Sequence, residues 1–97
     1  MEVYLSRSKR EGKKWVMRFP TKSVHFGQEG ARDRTIIKGK EERNKAYKAY
    51  QSRHRNDKIN IKDSAGALSW YLLWSADSLT QGITNYEKKF NIKVKRI

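Results

Sequence analysis

Ten carboxylates, two histidines and twenty-three lysines and arginines are the groups of this 97-residue chain that could do chemistry, and their spacing decides which kind. His25 and His54 stand far apart, with no third ligand type clustered beside either, so a catalytic zinc site is not expected. A magnesium-dependent nuclease needs carboxylates that converge on the metal. The nearest candidates are Glu29 with Asp33, in a loop, and Glu41 with Glu42, on adjacent faces of a helix beside compensating lysines. The chain has no cysteine, which excludes disulfides, thiolate zinc sites and cysteine nucleophiles. "GQEG" (27–30) lacks the Lys-Ser/Thr of a phosphate-binding P-loop. Asp33 and Thr35 read instead as turn-fixing residues that bond their own backbone. The expectation is a protein that is not an enzyme and carries no cofactor.

The cations are another matter. Formal net charge is +13, with a pI near 10.2. Residues 1–62 hold 18 cations against 7 anions, whereas residues 63–97 hold 5 against 3. Such an asymmetric basic balance is the electrostatic footprint of a polyanionic partner: nucleic acid first, an acidic protein or membrane face second. "RSKREGKK" (7–14) packs five cations into eight positions next to Trp15. Arg7, Lys9, Arg10, Lys13 and Lys14, with Arg32, Arg34 and Lys38 further along, form the candidate patch for nucleic acid or an acidic partner, because concentrated like charge is unfavourable unless an anion neutralises it. Arg53 and Arg55, in "RHR", extend it, although cations at a helix C-terminus also simply complement the helix dipole.

The elements that must position these groups follow from periodicity. "EVYL" (2–5) reads as a short edge strand, and 7–14 as a basic loop. In "KWVMRFP" Trp15, Met17 and Phe19 alternate with Lys14, Val16 and Arg18, the period of a half-buried strand, and "SVHFG" (23–27) offers a hairpin partner. Residues 27–40 read as an ordered loop. Arg43, Tyr47, Tyr50 and His54 make one stripe of a helix beginning near Glu41. Ser78 with Gln81 forms a capping-box pattern ahead of Leu79, Ile83, Tyr86 and Phe90, the clearest amphipathic stripe in the chain. "NIKVKRI" (91–97) alternates as a closing strand against the hairpin.

Residues 64–74, "SAGALSWYLLW", contain no charge in a chain whose mean hydropathy is −1.00. They read as a helix apolar on both sides, packed as the central core element; Trp70 and Trp74 alternatively offer an interface to a partner subunit. The expected architecture is a single α+β domain over 1–97, a small antiparallel sheet (N-terminal hairpin plus C-terminal strand) packed on about three helices. No stretch approaches a membrane span, and "MEVYLSRSKREGKK" lacks the apolar run of a secretory leader.

Several of these stretches together carry a resemblance: "SKREGKKW" (8–15), "VHFGQEG" (24–30), Asp33 and Thr35, Tyr50 with "RH" (53–54), and "AGALSWYLLW" (65–74) followed by Ser78-Leu79. In these the chain resembles a group of small basic proteins of unassigned function encoded by large nucleocytoplasmic DNA viruses. Similar chains carry a further His and Asp after the "D-x-T" position, where this one has "IIKGKEE" (36–42). The resemblance brings no catalytic residues. It implies a virion-associated structural protein, a minor capsid or cementing component located in the virion and in host cytoplasm or nucleus during assembly. Its partners would be acidic viral structural proteins or the packaged genome, with an oligomeric or assembled state left open. The alternative is a free nucleic-acid-binding protein that, having no base-reading motif, binds without regard to sequence.

Overall fold

The computed structural model describes residues 1–54 and 58–97. Strands β1 (Glu2–Arg7), β2 (Lys13–Arg18) and β3 (Ser23–Gln28) precede helix α1 (Lys40–His54); a short helix α2 (Ala65–Ser69) runs into a π-helical turn (Trp70–Trp74), followed by helix α3 (Leu79–Phe90) and strand β4 (Lys93–Arg96). The α+β class is as expected. The sheet is ordered β3-β2-β1-β4.

Two expectations about the sheet are corrected. β1 is an inner strand, antiparallel to β2 (Leu5 opposite Met17) and parallel to β4 (Val3 opposite Val94), so the sheet is mixed. Edge or centre depends on which strands pair, and a four-residue alternation holds no record of that. The C-terminal strand closes against β1 and not against the β2–β3 hairpin. A parallel pair needs a long crossover, which the helical part of the chain supplies. The hairpin itself stands, with Trp15 opposite Phe26 and Met17 opposite Val24. Residues 7–14 are only partly loop: Arg7 closes β1, while Lys13 and Lys14 open β2.

One sheet face packs on the helices. Val3, Leu5, Met17 and Phe26 meet Leu68, Leu72, Leu73, Ile83, Tyr86 and Ile92 in a continuous apolar cluster. The segment 64–74 lies at its centre, as its composition required, but it is not one α-helix. Ser64 caps it by accepting from the Ala67 N–H at 3.0 Å. Past Ser69 the helix widens, and the Ser75 N–H reaches back five residues to the Trp70 carbonyl at 2.8 Å. The widened turn leaves Trp70 and Trp74 against the rings of α1, while Leu72 and Leu73 go into the core. Helix α3 presses on the same turn. A Cβ on Gly82 would stand 2.6 Å from the Tyr71 carbonyl oxygen and 2.7 Å from that of Leu72, so only glycine admits this approach.

Candidate polyanion-binding site

The basic site is organised by one buried carboxylate. Asp33, in the loop between β3 and α1, accepts hydrogen bonds from the backbone N–H of Thr35 at 2.9 Å and from its hydroxyl, the turn-fixing geometry expected of "DRT". Its other oxygen meets the Lys14 ammonium at 2.7 Å. Side-chain exposures of 13% for Lys14 and 4% for Asp33 make this an interior ion pair. Lys14 also donates to the Ala31 carbonyl at 2.5 Å. Lys14 is therefore a bolt between strand β2 and the loop, and its charge is already answered. That corrects its placement in a basic loop: Lys14 opens β2 and its side chain holds the fold together.

Two clefts flank the bolt, sharing Lys13, Lys14 and Asp33 in their walls. The larger, about 370 Å³, is bounded by β2, β3, the loop at 31–33, the end of α1 and the start of α2, and takes in Arg32, Arg53 and His54 above an apolar floor that includes Tyr50 and Trp74. The smaller, about 330 Å³, lies toward β1 and includes Arg7, Trp15 and Glu29. In it the Arg7 guanidinium lies 4.6 Å from the centroid of the Trp15 ring, a cation–π contact. Lys13 and Arg53 are exposed and make no ion pair with a carboxylate among the described residues. Arg32 pairs with Glu42 at 2.7 Å, but with 61% and 67% of the two side chains exposed the pair is solvent-screened and exchangeable.

The other sequence-selected cations divide differently. Lys9 and Arg10 sit exposed on the β1–β2 turn. Arg34 belongs to the fold: its N–H donates to the Leu73 carbonyl at 3.1 Å and its side chain to Asp77 at 2.7 Å, so it is not available as a free cation. Lys38 is exposed and borders neither cleft. Arg55 lies outside the described residues. Trp74 is only 5% exposed, leaving almost no surface for a partner subunit, and Trp70 is half-buried against Tyr47 and Tyr50. Within "SWYLLW" the core reading holds for Leu72, Leu73 and Trp74, while Trp70 and Tyr71 are partly exposed.

The sequence did not single out Tyr50 as cleft floor, nor His25 as a charge-sensitive group; both depend on contacts between distant strands and helices. The expected stripe on α1 contained the first: Tyr50 stacks on Trp74 at 4.5 Å and on His54 at 4.5 Å. His25 Nδ1 lies 2.7 Å from the Ser8 hydroxyl. Partial burial, then the nearby cations Arg10, Arg18 and Lys13, hold its pKa below the ordinary 6.5, so the ring stays neutral near pH 7. Among the described residues no three His, Asp or Glu side chains converge as a metal site would require, and no helix is long and apolar enough to cross a membrane.

Comparison with known proteins adds a family. Residues 3–54 match a family of unknown function, DUF5754, and with more than half of the chain inside the match the protein belongs to it. The matched stretch runs from β1 to the last residue of α1 and so contains every cation of the two clefts among the described residues. No curated protein and no solved structure matches the chain.

Proposed function

We propose that the chain is a non-enzymatic component of a large DNA virus particle, a minor capsid or cementing protein that binds a polyanion, packaged genome or acidic capsid protein, through the surface around the two clefts. One observation carries this reading. Lys13, Arg32 and Arg53 come from a strand, a loop and a helix to border a single cleft whose one carboxylate among the described residues, Asp33, is already neutralised by Lys14. Like charges brought together in this way raise the local potential and are relieved by an incoming anion. The viral setting rests on the motif resemblance across 8–79. A free nucleic-acid-binding protein, the alternative, would use the same surface, and the rings beside the cations favour nucleic acid as its ligand.

Titration of the purified protein against duplex DNA and against polyglutamate tests the reading. Affinity should fall linearly on log–log axes with salt, by about 0.9 per DNA phosphate contacted. Absence of binding to either polymer at about 50 mM salt, where electrostatic attraction is strongest, would remove it. Proteomics of purified particles tests the virion assignment separately.

A further inference from the structure

We infer that the paired clefts accept consecutive nucleotides of a single strand, one on each side of the Lys14–Asp33 bolt, with the phosphate between them on Lys13. The inference rests on the nucleic-acid arm of the proposed function and narrows it to a ligand class. Three features lead there. The clefts are neighbours with a common wall, since Lys13, Lys14 and Asp33 line both, and that wall is immobilised because Lys14 is held by Asp33 and by the Ala31 carbonyl. Each cleft sets cations beside an aromatic ring: Arg7 lies on Trp15 in one, and Lys13 and Arg53 border the other with the exposed ring of His54, which stacks on the buried Tyr50 at 4.5 Å. Their volumes, about 370 and 330 Å³, fall inside the roughly 300–1,000 Å³ typical of small-ligand sites.

This combination suits unstacked bases. Rings offer every base a π-face irrespective of sequence, while cations follow the backbone, which is how single strands are held without base readout. In a duplex the bases stack on one another and cannot enter a recess. An acidic peptide would satisfy Lys13 and Arg53 but has no planar group for the ring walls, and inorganic phosphate would leave the apolar floor uncovered. Arg32 completes the larger cleft by exchanging its exposed Glu42 partner for phosphate.

The test uses the full chain with a fluorescently labelled oligothymidylate, a mixed-sequence duplex of equal length, polyglutamate and thymidine monophosphate. The single strand should bind about tenfold more tightly than the duplex at the same salt, and the mononucleotide, with only one cleft engaged, more weakly than the oligomer. Lys13→Gln and Arg53→Gln should each weaken the single strand about tenfold, the loss of one charge-assisted contact. Lys88→Gln, on exposed α3 surface away from the clefts, should leave both affinities within about twofold. Equal affinity for single strand and duplex, with the Lys13 and Arg53 variants weakening both alike, would overturn the inference while leaving a general polyanion surface standing. Binding to polyglutamate with none to either nucleic acid would also overturn it and leave an acidic protein as the partner. Binding to nothing would remove this inference and the proposed function together. Unchanged thermal midpoints for the Lys13 and Arg53 variants, both exposed, exclude misfolding as the cause.

Discussion

Helices α1 and α3 are of similar length and are held by opposite means. α3 docks backbone to backbone: Gly82 lets it touch the π turn, Ile83 and Tyr86 are buried, Ser78 caps its start by accepting from the Gln81 N–H at 3.2 Å, and Asn91 ends it in the left-handed conformation. α1 buries a single residue, Tyr50. It is attached through rings and charges: Tyr47 on Trp70, Tyr50 on Trp74, and Arg43 on Asp77 at 3.0 Å. The helix that contributes least to the core is the one that carries Arg53 and His54 to the cleft. On the proposed reading, stability and binding fall to different helices, since few side chains of α1 are needed for packing.

That contrast can be broken most severely at Trp74, which supports α1 from below. Trp74→Ala should cost about 3–5 kcal/mol, read by urea denaturation. Hydrogen exchange at low denaturant should show α1 opening before α3; simultaneous opening of both would erase the distinction. Asp33→Ala ranks next, at about 3 kcal/mol, because it strands a largely buried ammonium. The double variant Lys14→Met/Asp33→Leu should recover most of that loss, and if it does not, the Thr35 hydrogen bonds matter more than the ion pair. Gly82→Ala should destabilise by about 1–3 kcal/mol through overpacking against backbone carbonyls, despite the alanine's intrinsic helix preference of up to about 1 kcal/mol. A more stable Gly82→Ala protein would show that α3 can shift away from the turn at little cost.

The smallest effect is one of pH. Hydrogen bonding from Arg34, reinforced by Arg43, holds the Asp77 carboxyl below its ordinary 3.8. A depressed folded-state value means that the contribution of this group is present above the unfolded value and is lost as pH falls through the folded one. Asp77 joins Arg34 in the loop and Arg43 in α1 to the start of α3. Acid below pH 3.8 should therefore loosen α1 first, and Asp77→Asn should abolish that part of the acid dependence in melts recorded across the range.

Legibility followed the range of the interactions. Helix α3 was readable because its stripe and cap are contained within thirteen consecutive residues, 78–90, although only half of the capping box forms: the Gln81 side chain bonds Asn85 at 3.2 Å and does not return to Ser78. The β2–β3 hairpin and the α1 stripe were readable for the same reason. The sequence supplied the cations of the clefts, but as a list without partners. Nothing in "KKW" distinguishes Lys14, bonded to a carboxylate nineteen positions on, from Lys13, which stays exposed. Arg34 likewise looked like another patch cation, and its role became visible only with Asp77 beside it, forty-three positions away. The π turn left no mark either, since α and π turns share the same apolar residues and differ in which carbonyl each N–H finds.

The pairing of β1 with β4 also has a consequence in time. The Lys93 N–H donates to the Met1 carbonyl at 3.0 Å and the Ile97 N–H to that of Leu5 at 2.9 Å, so β1 waits for residues 93–97, made long after it, before it has both neighbours. Contacts of such long sequence separation slow folding, because the intervening chain must be ordered before they can form. Until translation reaches residue 93, β1 presents a free edge carrying Val3 and Leu5, a surface on which nascent chains can pair with one another. The dense positive charge of residues 1–62 opposes such pairing, because like-charged chains repel one another.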